Sequence, residues 1–305
     1  ALIKIEALQK EYENGSAPTE KTIRFDSFHK LSYVTGIGPI RIIPYATIEE
    51  TVYSRTRLED SMISRFAIGG GLDLSTRFHR IYDYSTDFMG LDINGLRHII
   101  SPTIQYYHRH QPTVDKDILY QMDTIDSLEK ENTITFSLEN KIQTKRNINT
   151  KPTTVDLVRF ISSVDYEFRM EKNNMDLEKQ GRFDNLKFEL ELIPYEWLYL
   201  DSEVEFNTKN ESLKRGSIEA SITPSPSFIA SVGYRYEKLD DDPRNQLTID
   251  MSYILNPKWK FGIYERFDLQ SSEIEEQQFS VTRDLHCWEM EFVYDVDGSN
   301  VFRDD

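Results

Sequence analysis

His108 and His110 stand two residues apart, so on an extended strand their imidazoles share one face and could hold a metal ion. No cysteine or third histidine lies nearby, and Asp115 and Asp117 read as loop residues. A pair without further ligands is expected to be interfacial or loop histidine. Asp240, Asp241 and Asp242 could attract a divalent cation, but the sixth-position glycine and distal glutamate of an EF-hand are absent. Glu189 with Glu191, and Glu203 with Glu205, share strand faces. Acid–base work would need burial to raise a carboxyl, and these read as solvated charges. There is no G-x-S-x-G nucleophile motif. The glycine run in FAIGGGLDLST lacks the following helix and lysine of a phosphate loop, and reads as a bend, bulge or close strand approach. Cys287, the one cysteine, has no partner within the chain. No catalytic residue, metal or cofactor is expected, and the chain does not read as an enzyme.

The elements that carry these residues are more informative. Four windows repeat one design: LELIPYEWLYLDSEVEF, ASITPSPSFIASVGYRY, MSYILNPKWKFGIYERF and SVTRDLHCWEMEFVYDV. Each is an alternating strand, a very short turn, an aromatic residue and another alternating strand. The aromatics are Trp197, Phe228, Trp259 and Trp288, spaced 31, 31 and 29 residues apart. Pro194, Pro224 with Pro226, and Pro257 mark three of the turns. Longer polar connections separate the units, at 207–216, 237–246 and 268–277. Short turns at one end and long loops at the other are the pattern of an outer-membrane barrel.

Period-two alternation predicts strands over 22–33, 40–53, 64–79, 97–109, 132–144, 158–171, 183–193, 198–207, 217–223, 228–236, 246–255, 259–268, 275–283 and 288–297. Residues 2–12 are the one plausible helical stretch, and could equally be a strand edge. The early connections 80–95, 110–131 and 146–156 read as long on both sides. Several strands reach the roughly 9–11 residues that cross a bilayer, against about 5–6 for a mean strand in soluble proteins. An apolar content of 38% suits a barrel, where only every second strand residue meets lipid. A net charge of −16 disfavours nucleic acid. No apolar run reaches the length of a membrane helix. The expected fold is therefore all-β: an antiparallel transmembrane β-barrel, partial, with about fourteen strands present. Residues 1–21 read as an N-terminal segment, the end of a periplasmic region or an extra strand. Residues 22–305 read as the barrel, continuing beyond the C-terminus. Glu189, Glu191, Glu289 and Glu291 would face the lumen, and the four aromatics would form a belt on the periplasmic side.

Three segments, LRHIISPTIQYYHR (96–109), DTIDSLEKENTITFSLENKIQTKR (123–146) and LHCWEMEFVYD (285–295), resemble the barrel of the LPS-assembly outer-membrane protein family, also called the organic solvent tolerance family. The resemblance implies a translocon that inserts lipopolysaccharide into the outer leaflet of the bacterial outer membrane. It also implies an outer-membrane lipoprotein plug, periplasmic bridge proteins that deliver the lipid, and an exit seam. By the same resemblance Cys287 would pair with a cysteine of a periplasmic domain. An acidic lumen would repel lipid phosphates, so sugars would enter it while acyl chains follow the lipid bilayer along the wall. The alternatives are a passive porin-type channel, a lipid-acting barrel enzyme and a soluble ligand-binding β-sandwich. An inward constriction loop of both charge signs would mark the first. A Ser–His pair on the rim would mark the second, and a chain monodisperse without detergent the third.

Overall fold

The computed structural model describes residues 2–10, 20–58, 60–148, 151–168, 182–208, 211–239 and 242–297. The strands are Leu2–Lys10 (β1), Glu20–Ser32 (β2), Thr35–Ile37 (β3), Ile40–Tyr53 (β4), Ile63–Ser75 (β5), Phe78–Thr86 (β6), Ile93–Arg109 (β7), Glu131–Ile148 (β8), Lys151–Glu167 (β9) and Arg182–Tyr195 (β10). They continue with Leu198–Asn207 (β11), Ser212–Ser225 (β12), Phe228–Leu239 (β13), Asp242–Asn256 (β14), Trp259–Asp268 (β15), Glu273–Asp284 (β16) and Glu289–Asp297 (β17). Helix among the described residues is limited to two 3-10 turns, Phe88–Gly90 and Lys116–Ile118. Among the described residues no helix is long and apolar enough to cross a membrane, which says nothing about crossing by strands. The architecture is all-β and antiparallel, consistent with part of a β-barrel.

The chain divides into two compact units. The first comprises Ala1–Arg77, Pro102–Phe136 and Asp165–Phe183. In it β1 pairs with β2, β2 with β4, β4 with β5, and β5 with the second half of β7. The N-terminal stretch is thus a strand. β3 keeps the register of β2 against β4, so the two are one strand broken at Tyr33–Val34. Gly38, at a φ of +57°, supplies the turn into β4.

The second unit comprises Phe78–Ser101, Ser137–Val164 and Asp184–Asp305. β6 pairs with the first half of β7. β10 to β17 form a meander in which each strand pairs with the next. The proline turns have a shared cause. Register shifts fall at Leu192/Tyr195, Ile222/Ser225 and Ile254/Asn256, beside Pro194, Pro224 and Pro257. Proline has no N–H for the ladder, so pairing breaks there and the strand bulges into its turn. The fourth turn lacks proline and has no such shift. It closes by a bond from the Leu285 amide to the Trp288 carbonyl, with His286 at a φ of +79°.

Two early connections are shorter than expected. Residues 80–95 are mostly β6 and β7, joined across 87–92, and β8 runs to Ile148 with β9 starting at Lys151. Tight and long connections therefore alternate through the early chain as well as the late one. β7, β8 and β9 have 17, 18 and 17 residues. The strand segments number more than fourteen because β1 is added and because β3 and β6 are continuations of broken strands.

Candidate functional site

Exposure is reversed relative to a soluble sheet. In the first unit Arg24 and Arg65 are 0% and 1% exposed, while Ile23 and Ile68 on the opposite faces of the same strands are 58% and 59% exposed. In the second unit Ile218, Val232, Phe292 and Tyr294 are likewise exposed. Their partners across the ladder continue one apolar face: Ile218 opposite Tyr234, Val232 opposite Ile249, and Phe279 opposite Tyr294. A soluble sandwich buries that face. A membrane barrel turns it to lipid and its polar face inward. Glu265 and Gln277 interrupt the apolar face, and there they bond to each other at 2.6 Å.

Residues 110–130, between β7 and β8, lie as a strap over the polar face of β2, β4 and β5. Its apolar anchor is Leu119, fully buried with Tyr53 and Val114, and packed by Ile63 and Ile118. Its polar anchor is Arg24. The guanidinium donates to Asp123 at 2.5 and 2.7 Å, to Asp126 at 2.8 Å and to Glu6 of β1 at 2.6 Å. The Tyr53 hydroxyl donates to Asp126 at 2.8 Å, and the amides of Met122 and Asp123 donate to its other oxygen. Arg65 donates to the backbone carbonyls of Ile125 and Asp126. A fully buried carboxylate thus keeps its acceptors occupied, as burial demands. The Arg24 bonds hold the Asp123 carboxyl below the usual carboxylate range. None of these residues stood out as a site in the sequence. The one available signal is the acidic stretch opening at Asp123.

Gly69 and Gly71 belong to the same polar face. There is no register shift between β4 and β5, so they mark no bulge. The close approach is of the neighbouring strand and of side chains: a Cβ on Gly71 would run into the Tyr106 carbonyl oxygen of β7 and lie 2.5 Å from the Tyr45 hydroxyl, and one on Gly69 would lie 2.7 Å from the Tyr107 hydroxyl.

In the second unit the polar face is open. Glu189 stands opposite Glu203, and Glu191 opposite Asp201. The face is mixed rather than purely acidic: Arg159 bridges Glu139 and Glu191, and Arg215 bridges Glu203 and Glu205. Glu289 and Glu291 line a recess of about 420 Å³ with Trp259, Lys258 and Lys260. Trp197, Phe228, Trp259 and Trp288 all stand in or beside the tight turns. Trp197 stacks on Tyr195 at 5.2 Å, and the Arg283 guanidinium lies 4.6 Å from the Trp259 ring centroid. Cys287 is a free, exposed thiol in the last tight turn. His108 and His110 are not joined by further ligands, and no metal-binding group of three or more occurs among the described residues. Asp240 and Asp241, with the side chain of Asp242, lie outside the described residues.

The model of a family described as LptD, LPS transport system D, matches residues 38–259. The chain belongs to the LPS transport system D family. The LPS-assembly protein LptD of Burkholderia ambifaria is similar to it, 25% identical over 181 residues. That match covers 56% of this chain and 22% of the relative, so the chain corresponds to well under two thirds of the relative's length. The LptD match takes in the strap, the tyrosines over Gly69 and Gly71, and the proline turns. Arg24, Cys287, Glu289 and Glu291 fall outside it.

Proposed function

We propose that this chain forms part of the wall of an outer-membrane translocon that inserts lipopolysaccharide into the outer leaflet. The observation that carries the reading is the reversed exposure, charged side chains covered and apolar side chains bare, in a chain of the LPS transport system D family. The polar face would line the lumen, with Glu189, Glu191, Glu289 and Glu291 on it. Trp197, Phe228, Trp259 and Trp288 would anchor the periplasmic side, and residues 22–305 would serve as one barrel domain. The glycolipid would arrive from periplasmic bridge proteins, with a lipoprotein filling the lumen. Saccharide would follow the polar face, and acyl chains the bilayer side. No step needs covalent chemistry. Cys287, exposed on the tight-turn side, would reach a cysteine of a periplasmic domain. Free alkylation of Cys287 in the oxidised full-length protein would remove that pairing. A strap of both charge signs over the polar face is also what a porin-type channel would show, and membership of the LPS transport system D family is what favours transport over that reading.

Depletion of the full-length protein in its native cell provides the test, with newly made lipopolysaccharide followed to the surface. Surface arrival is expected to stop while synthesis continues. Arrival at the normal rate would overturn the reading.

A further inference from the structure

Beside the strap, on the same polar face, two phenol rings lie flat on bare backbone. Tyr45 of β4, Gly71 of β5 and Tyr107 of β7 form one cross-strand row. The rings are 14° from parallel, with centroids 6.3 Å apart. The space above β5 is free for them only because Gly69 and Gly71 have no side chains. The result is a flat aromatic floor two rings wide. Cations sit over both rings, the Lys30 ammonium 3.9 Å from the Tyr45 centroid and the Arg109 guanidinium 5.7 Å from that of Tyr107, so a ligand that stacks on Tyr45 must swing the flexible Lys30 side chain aside. Asp73 and Gln105 form the next row on the face.

Three ligand chemistries can be weighed against this floor. A phosphate would meet Lys30, but Arg109 is already tied to Glu131 at 2.8 Å and the Asp73 carboxylate in the next row repels an anion. An acyl chain would strip water from Lys30, Arg109 and Asp73 without replacing their hydrogen bonds. A sugar ring satisfies both parts. Its C–H face meets the negative face of the aromatic ring, and its hydroxyls donate to Asp73 and accept from Lys30 or Gln105.

We propose that Tyr45 and Tyr107, laid flat by Gly69 and Gly71, form a stacking subsite for uncharged sugar rings of the transported saccharide. The proposal rests on the reading that saccharide follows the polar face. The test uses the full-length protein in detergent, with a neutral malto-oligosaccharide and the acid-released saccharide of lipopolysaccharide as probes. Replacing both tyrosines by Ala should weaken binding of both probes about tenfold. Replacing both by Leu should weaken it as much, whereas Phe or Trp at both positions should stay within about threefold of the native protein. Gly69→Ala keeps both tyrosines but pushes the Tyr107 hydroxyl aside, and should also weaken binding. Heat-modifiable gel mobility reports folding of each variant. Unchanged binding in the folded double-Ala variant, binding restored by Leu, or no binding by the native protein would overturn the subsite. Binding by purified protein does not depend on surface arrival of lipopolysaccharide, so the subsite and the transport reading fail separately.

Discussion

The two units present polar faces built from the same residue types and held in different ways. In the first, one buried cation serves three carboxylates, and among the described residues Asp126 has no other ion-pair partner. In the second, charges are shared and mostly open to water, with Glu205 the buried exception. Glu205 is held by both Lys214 and Arg215, and Arg266 holds both Glu275 and Glu276. Burial decides what such contacts are worth. An exposed pair contributes about 0–1 kcal/mol, whereas removing one member of a buried pair leaves a charge without solvent and costs about 3–5 kcal/mol. The covered face is therefore brittle at single positions, and the open face is redundant.

Arg24→Met tests that contrast most strongly. It leaves Asp126 buried with only Tyr53 and backbone amides, and a loss of about 3–5 kcal/mol is expected. Residues 110–130 should become open to protease, and the unfolding temperature should fall. A strap that stays protected would show that Leu119 and Tyr53 hold it without the charge cluster. Tyr53→Phe keeps the apolar packing and removes one hydrogen bond to Asp126. It should cost about 1 kcal/mol, read as a modest fall in the same unfolding temperature. A loss as large as that of Arg24→Met would mean that the bond network acts as a unit.

Acid should loosen the first unit's strap at the same junction. Because the folded-state Asp123 carboxyl lies below its ordinary value, its contribution is complete above the unfolded value of about 3.9. It is lost as pH falls through the lowered folded value. Asp123 is 41% exposed, so solvent screens the contact and the effect is smaller than that of either substitution. Pepsin cleavage within 110–130 should rise as pH falls below about 3.9, and Asp123→Asn should flatten the rise. Cleavage independent of pH would remove Asp123 from the clamp.

These contrasts also separate what could be read in the sequence from what could not. The meander from β10 to β17 was legible because alternation and proline turns are local signals, each explained by residues within one hairpin. β6 was not, since Arg80, Ile81, Tyr82 and Asp83 show no clean alternation. Both faces of β6 are exposed, so no burial imposes a pattern. The clamp was illegible for a different reason. Arg24 and Asp126 are 102 residues apart, and a lone arginine within RFDSFHK looks like any lumenal charge. Glu191 was assigned to the polar face from parity alone, but its partner Arg159 lies 32 residues away on β9. Faces follow from a period of two, while partners depend on which strands become neighbours.

Arg215→Gln in β12 is the smallest expected effect and the sharpest check on redundancy. Arg215 bonds Glu205 at 2.8 Å and Glu203 at 3.3 Å, and is itself 42% exposed. Glu205 is only 3% exposed, but Lys214 still holds it at 2.9 Å after the substitution. Two charges on one carboxylate mean that losing one strands nothing, so the change should stay within about 1 kcal/mol. The double variant Lys214→Gln with Arg215→Gln should cost more than the two single changes added together, because only then does Glu205 lose both bonded cations and keep just Lys187 opposite it on β10. If Arg215→Gln alone costs as much as Arg24→Met, then burial of the carboxylate outweighs the number of its partners. The two faces would then differ only in how much of each is covered.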